Sequence, residues 1–192
     1  MRCWFEGAGR RAIADIPLGR RLLVAVVALA CAGTLFRGQL ASGLVSRGDE
    51  FLQSGALLRA QVYYARALRF DRNSPTAAER FAFAGLMLKT PSALRAAVAV
   101  ASDALALQPG DQALRNDRAL CLDALGDYGA ARRDFEELAK RTGDARYYEF
   151  AAQAARRSGE IPAAARLFAH VIALNPNFAA ARRELARLES KR

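Results

Sequence analysis

Small residues recur at a nearly fixed interval along most of this chain. Gly48, Gly85, Ala119 and Ala152 follow one another in steps of 37, 34 and 33 residues. A second column, Ala60, Ala97, Ala131 and Ala164, always stands twelve residues after the first. Four residues further on come Tyr64, Phe135 and Phe168, with Ala101 as the exception in the second period. Turn-forming residues fall between the columns, at Ser54-Gly55, Thr90-Pro91-Ser92, Gly126-Asp127 and Ser158-Gly159. Each period therefore reads as helix, tight turn, helix. The second helices close at Leu107-Gln108-Pro109 and Leu174-Asn175-Pro176, where proline stops propagation. A residue without bulk at a fixed place lets two helix axes approach to about 8 Å. A single helix pair cannot bury its apolar face alone, so each period relies on its neighbours.

This pattern resembles the tetratricopeptide repeat family, which places a glycine in the first helix, an alanine and an aromatic in the second, and a closing proline. Gly48, Phe51, Gly55, Ala60, Tyr64 and Ala67 match it in the first unit, and Ala152, Gly159, Ala164, Phe168 and Pro176 in the fourth. The resemblance implies an all-α, right-handed α-solenoid of about four helix-turn-helix units, at residues 41–74, 78–111, 112–145 and 145–178. Residues 179–192 read as a capping helix, with Ala181, Leu185 and Leu188 inward and Arg182, Arg183 and Arg187 outward. There are departures. The family's opening tryptophan is replaced by Leu44, Phe81, Arg115 and Tyr148, and its following leucine by Arg47 and Arg118 in units one and three. Unit three has Arg141-Thr142-Gly143 in place of a closing proline, which marks it as the loosest. Three extra residues, Pro75 to Ala77, separate units one and two.

The amino-terminal segment is of another kind. Residues 1–21 are basic, with Arg10-Arg11, Arg20-Arg21 and a break at Pro17. Leu22 to Phe36 then carry no charge, and Arg37 closes the run. Fifteen helical residues span about 22 Å, short of a hydrocarbon core of roughly 30 Å. Snorkelling arginines and one further turn through Leu40 make up the difference. A buried soluble helix would show a polar face, and this run has none. Residues 22–40 thus read as one transmembrane helix or signal anchor. Cleavage after Ala28-Leu29-Ala30 would leave only a six-residue apolar core, and the residues before Cys31 fit a lipoprotein motif poorly. An uncleaved anchor is the favoured reading. The arginine-rich residues 1–21 form a cytoplasmic tail, and the repeats lie on the far side of the membrane. Arg37 and Arg47 weigh against that orientation, and secreted or cytoplasm-facing repeats remain alternatives.

Composition narrows the function. At 53% hydrophobic and 25% charged residues the chain is a folded protein, not a disordered one. Alanine is 43 of 192 residues and aromatics are 8%, so the core depends on close helix contacts. Of 29 basic residues, 26 are arginine, a bias that together with the alanine points to a GC-rich bacterial genome. The net charge of +10 is dispersed, with arginines alternating with carboxylates as in Arg132-Arg133-Asp134 and Glu136-Glu137. That pattern reads as solvated helix surface and argues against nucleic acid, with an arginine-driven binder of nucleic acid or anionic lipid as the second alternative. Cys3, Cys31 and Cys121 stand far apart, and His170 is the sole histidine. Cys121 reads as a small core hydrophobe and His170 as a surface residue. No metal site, cofactor or disulfide is implied. No phosphate loop, nucleophile elbow or histidine-carboxylate cluster occurs, so the chain does not read as an enzyme.

A solenoid of helix pairs presents a concave surface lined by its first helices. Helical phase places Val45, Asp49, Leu52, Phe83, Leu86, Asn116, Leu120, Phe150 and Gln153 there. They would form an apolar ribbon with a few polar groups, suited to a partner's extended peptide or helix. Some members of the family grip a C-terminal carboxylate with a lysine and asparagines. Val45 and Asp49 stand at the corresponding places, and an aspartate repels a carboxylate. The leading reading is therefore a membrane-tethered adaptor for a protein or peptide client at a bacterial inner membrane, and the resemblance implies a role in envelope, secretion or pilus assembly.

Overall fold

The computed structural model describes residues 18–190, and the side chains from residue 23 onward except at 29–32 and 35. Cys3, Arg10-Arg11, Pro17 and Lys191 lie outside the described residues, as do the side chains of Arg20, Arg21 and Cys31. The described chain is helical throughout, with nine helices and no strand. They are α1 (Leu18–Gln53), α2 (Leu57–Phe70), α3 (Pro75–Leu88), α4 (Pro91–Leu107), α5 (Gln112–Leu125), α6 (Tyr128–Thr142), α7 (Ala145–Arg157), α8 (Ile161–Leu174) and α9 (Ala179–Glu189). The chain divides into two compact units, residues 1–40 and 41–192.

In the first unit, Leu23, Val24, Val26, Val27 and Phe36 are exposed. Among the described residues no helix is long and apolar enough to cross a membrane. Part of the apolar run, at 22, 29–32 and 35, lies outside those described side chains.

In the second unit each helix packs on the next from α2 to α9, and α3 also packs on α5. This is a helix-pair stack. The helix boundaries follow from local chemistry. Asp111, Asp127 and Asp144 accept a hydrogen bond from a main-chain N–H in the first turn of α5, α6 and α7. Ser74 and Thr90 do the same for α3 and α4, each followed by a proline at the first helical position. Pro75 to Ala77 are consequently no linker. They are the first turn of α3, and the chain enters that helix three residues early. The following turn also comes early, so α4 has 17 residues where the other second helices have 14 or 15.

The two small-residue columns lie at the contacts within the pairs. Gly48, Ala60, Gly85, Ala97, Ala119, Ala131, Ala152 and Ala164 are all buried. A methyl group on Gly85 would meet the Ala97 Cβ at 2.8 Å and the Ala93 carbonyl oxygen at 2.9 Å. One on Gly48 would strike the Tyr64 ring at 2.4 Å. Tyr64, Phe135 and Phe168 are buried where neighbouring units meet, and Ala101, also buried, lies beside Leu94, Leu105, Leu114 and Cys121. At the end of the stack Ala181 and Leu188 turn inward, Leu185 is half-buried, and Arg182, Arg183 and Arg187 are exposed.

Unit three shows why its departures are tolerated. Gly143, in the left-handed region at φ 70°, ends α6 in place of a proline, and Asp144 starts α7 at once. Its Phe135, Leu138 and Ala139 are as enclosed as their counterparts, so nothing in its packing sets it apart as loose. The arginines in the places of tryptophan and leucine share a purpose. Arg118 donates from Nε and Nη2 to both carboxylate oxygens of Asp134, at 2.7 and 2.6 Å, and from Nη1 to the Ser102 hydroxyl at 3.2 Å. Arg115 stands 3.5 Å from the same carboxylate. Asp134 is only 5% exposed. The run Arg132-Arg133-Asp134 is therefore not uniformly solvated surface. Its aspartate is buried and ties α5 and α6 together, and through Arg118 reaches α4.

Two predictions follow from this packing. Alanine is normally favoured over glycine inside a helix by about 1 kcal/mol. Because the added methyl at Gly85 meets main chain as well as side chain, overpacking of about 1–3 kcal/mol outweighs that gain, and Gly85→Ala should lower the melting temperature. Asp134→Ala strands two largely buried guanidinium groups and should cost about 3–5 kcal/mol, whereas replacing the whole cluster, Arg115→Met and Arg118→Met with Asp134→Leu, should be neutral or stabilising. Chemical denaturation of the single and triple variants checks this. Equal losses in both would mean that packing, not charge, holds this joint.

Candidate functional site

The first helices of the four pairs, residues 41–53 of α1 with α3, α5 and α7, supply the residues expected to bind a client. The structure separates those residues into three groups. Val45 is buried against Ala41, Ala60, Tyr64 and Phe81. It is a core residue and cannot line a groove, because its place on the helix turns it toward α2. Leu52, Leu86 and Leu120 are half-buried and pack against the cores of units one, two and three. Phe83 and Phe150 stay open, each 37% exposed.

Phe150 is held in place by aromatic neighbours. Its ring lies 5.4 Å from that of Phe135 and 6.4 Å from that of Tyr147, centroid to centroid. Such tilted and edge-on pairs fix a ring's direction as well as adding packing energy. Phe83 has no ring contact of this kind among the described residues. One turn further along α3 stands Met87, 44% exposed, which the sequence reading missed. Its signal was there in the i, i+4 spacing from Phe83, which puts both side chains on one helix face. Thioethers fit irregular apolar partners well.

The polar members of the set serve mainly to join helices. Asp49 accepts a 2.7 Å hydrogen bond from the Tyr64 hydroxyl and lies 3.5 Å from Arg80 of α3. Burial and this carboxylate together raise the Tyr64 hydroxyl above its ordinary value. Gln153 donates to Glu149 on its own helix. Arg157 of α7 pairs with Asp123 of α5 and lies over the Tyr128 ring at 5.7 Å, and Arg156 reaches Glu184 of α9. Half-buried Asn116 hydrogen-bonds Asp117, which is almost wholly buried. Burial first, then the nearby Glu79 charge, pushes the Asp117 carboxyl up to about 6, while the Asn116 bond pulls it back.

Among the described residues no group of three or more histidine, cysteine or carboxylate side chains could hold a metal ion. Cys121 is buried and free, and burial beside Asp117 pushes its thiol up to about 12, far from a reactive thiolate. His170 is exposed, with its ring edge-on to Tyr148 at 4.5 Å.

Comparison with known proteins adds the fold. Neither a protein-family model nor a curated protein sequence matches the chain. Solved structures do. A structure titled MamA 41-end from Desulfovibrio magneticus RS-1 is similar at TM-score 0.68 and 18% identity, covering 79% of this chain and 85% of that one. A structure from a functional characterization of Pseudomonas aeruginosa pilF is similar at TM-score 0.59 and 22% identity, covering 81% of this chain and 70% of that one. A structure titled MamA AMB-1 is similar at TM-score 0.65 and 15% identity. At these identities the likeness is one of fold. The chain is an all-α repeat protein of the architecture these structures share, as the spacing of its small residues implied.

The buried Asp117 gives a prediction with a definite sign. Its pKa is raised from 3.8 to about 6 on folding, so the native state holds this proton more tightly than the unfolded chain. Stability must then fall as pH rises through that window, by on the order of 2–3 kcal/mol. Asp117→Asn removes the effect. Relative to wild type, its unfolding free energy should climb between pH 4 and pH 7, as followed by urea denaturation. A flat difference would show that Asp117 has an ordinary pKa.

Proposed function

We propose that this chain is a protein-interaction adaptor tethered to a membrane by residues 22–40, with the first-helix face as its client-binding surface. One observation carries the reading. Phe83, Met87 and Phe150 remain open on the first helices while nearly every other large apolar side chain of those helices is buried or half-buried. With about two-fifths of each side chain still in water, roughly 0.5–1.3 kcal/mol apiece remains to be gained by burial, and a partner's apolar side chains recover it. The ion pairs Asp49–Arg80, Asp123–Arg157 and Arg156–Glu184 join the same helices and give the surface polar groups beside the apolar ones. Aromatic anchors beside polar groups are the usual make-up of a peptide-binding face.

The tether rests on the uncharged run Leu22–Phe36, bracketed by Arg20-Arg21 and Arg37, and on the exposure of Leu23, Val24, Val26, Val27 and Phe36. The positive-inside rule puts residues 1–21 in the cytoplasm and the repeats beyond a bacterial inner membrane. Assembly of secretion, pilus or other envelope machinery is the role this arrangement suits.

A photo-crosslinking residue at Met87, introduced into the full chain in its native membrane, should yield a discrete adduct, whereas one at the exposed Ala99 of α4 should not. Phe83→Ala should weaken that adduct about tenfold or more while leaving the melting temperature nearly unchanged, since a third of the ring is already in water. A Phe83→Ala variant that loses several kcal/mol of stability would make Phe83 a core residue and remove the binding face. A C-terminal phosphatase fusion active in the periplasm checks the orientation.

A further inference from the structure

The second helix of the first pair carries a surface that the client-binding face does not use. From Phe51 to Phe70 the chain holds Arg59, Arg66 and Arg69 and no carboxylate at all, and Arg72 follows shortly after. On α2, at about 100° per residue, Leu58, Val62, Arg66 and Arg69 fall within an arc of roughly 80°. They form one outward stripe. Leu58 is 67% exposed and Val62 50%. Beside the stripe Phe51 and Tyr63 stack with ring centroids 5.1 Å apart, and Arg59 and Arg66 lie over those rings at 5.8 and 5.4 Å. Together with Leu58 and Val62 they enclose an open depression of about 410 Å³. Along the other flank of α2 runs a cleft of about 440 Å³ between α2 and α4, where Arg69 and Arg72 face Asp103 across Leu68 and Val100. Among the described residues Arg59, Arg66, Arg69 and Arg72 form no ion pair, unlike Arg47 and Arg80, which pair with Glu50 and Asp49.

We propose that the outer face of α2 docks on the surface of an anionic lipid bilayer. This rests on the tether proposed above, because unit one is the repeat next in sequence to residues 22–40. The chemistry favours lipid over an acidic protein helix. The cleft beside Asp103 has the apolar floor and charged rim that a partner helix calls for, but the outward stripe itself does not. Here aliphatic side chains at one end of the stripe, Leu58 and Val62, give way to the guanidinium groups of Arg66 and Arg69 at the other, and an interface accepts that mixture, with the apolar tips entering and the arginines reaching phosphates. Each arginine that close to an anionic surface strengthens the contact about fivefold. The cation–π contacts hold two of the arginines extended along the face, which limits the entropy lost on docking.

Tryptophan quenching by brominated lipid tests the contact in the full chain. With Trp4→Phe as the background, Leu58→Trp reports on α2 and Leu174→Trp, on the exposed side of α8, serves as the control. In vesicles of phosphatidylglycerol and phosphatidylcholine, Leu58→Trp should be quenched at least about twofold more than Leu174→Trp. In phosphatidylcholine alone the difference should vanish, and high salt or Arg59→Gln with Arg66→Gln and Arg69→Gln should abolish it. The salt arm needs no arginine substitution, so it decides the matter even where the triple variant folds poorly. Equal quenching at both positions in anionic vesicles overturns the proposal and leaves an acidic protein partner for this face. Flotation separates the two readings. A chain that floats with both vesicle types without selective quenching keeps the tether and loses the docking. One that floats only with anionic vesicles, and not after the arginine substitutions, keeps the docking and loses the tether. A chain that floats with neither overturns both.

Discussion

The stack depends on how closely two helices can approach at Gly48, Gly85, Ala119 and Ala152. At Gly85 the partner helix presents not only a methyl group but a main-chain carbonyl within 3 Å of where a Cβ would sit. Backbone in that position cannot move aside as a side chain can. At Gly48 the obstacle is the ring of Tyr64, and that ring is pinned by its own hydrogen bond to Asp49. The small residue, the large residue and the carboxylate that orients the large one act as a set. With such close contact at each pair, a chain with only 8% aromatic residues can enclose its core largely with alanine. Dispersion grows steeply as surfaces meet, so closeness substitutes for side-chain size.

Around that constraint the polar residues divide their work. Aspartates, a serine and a threonine cap the starts of α3 to α7, glycines end α5 and α6, and charged pairs such as Asp123 with Arg157 bind one unit to the next. Asp134 and Asp117 are the two carboxylates placed inside the stack, and they face opposite circumstances. Asp134 receives a bidentate guanidinium and a second arginine at its side. Asp117 has only an asparagine side chain against burial and the field of Glu79, and its pKa rises accordingly. The first joint is strong as long as both partners are present. The second makes the seam between α3 and α5 weaken as pH rises from about 4 toward 7.

Much of the architecture was legible in the sequence. The two columns, twelve residues apart, marked both helices of every pair, and the prolines at 109 and 176 marked two ends. Legibility was poorer where a side chain's role depends on a partner remote in sequence. Arg118 and Asp134 are sixteen residues apart, and beside Arg132 and Arg133 the aspartate looked like one more member of a solvated run. Val45 and Asp49 are one turn apart and were placed on the same face. A rotation of a fraction of a turn puts Val45 into the core and leaves Asp49 at the rim, bonded to Tyr64. Helical phase read from sequence does not resolve so small an angle. Met87 shares a helix face with Phe83 through its i, i+4 spacing, but only the packing around α3 shows that this face lies open there.

The sequence by itself determined the fold: the recurrence of residues too small to keep helices apart admits few structures other than stacked pairs, since any regular contact at those positions must be a close one. It also determined that an uncharged stretch precedes the stack, because charge and apolarity are properties of the chain alone. Only the tertiary structure decided which apolar side chains are left in water, which carboxylates are buried, and which arginines lack a partner. Those are sums over neighbours from several helices. Phe83 and Phe81 are two residues apart and identical in chemistry, yet α2 lies on one side of α3 and solvent on the other. That difference makes one of them core and leaves the other open to solvent.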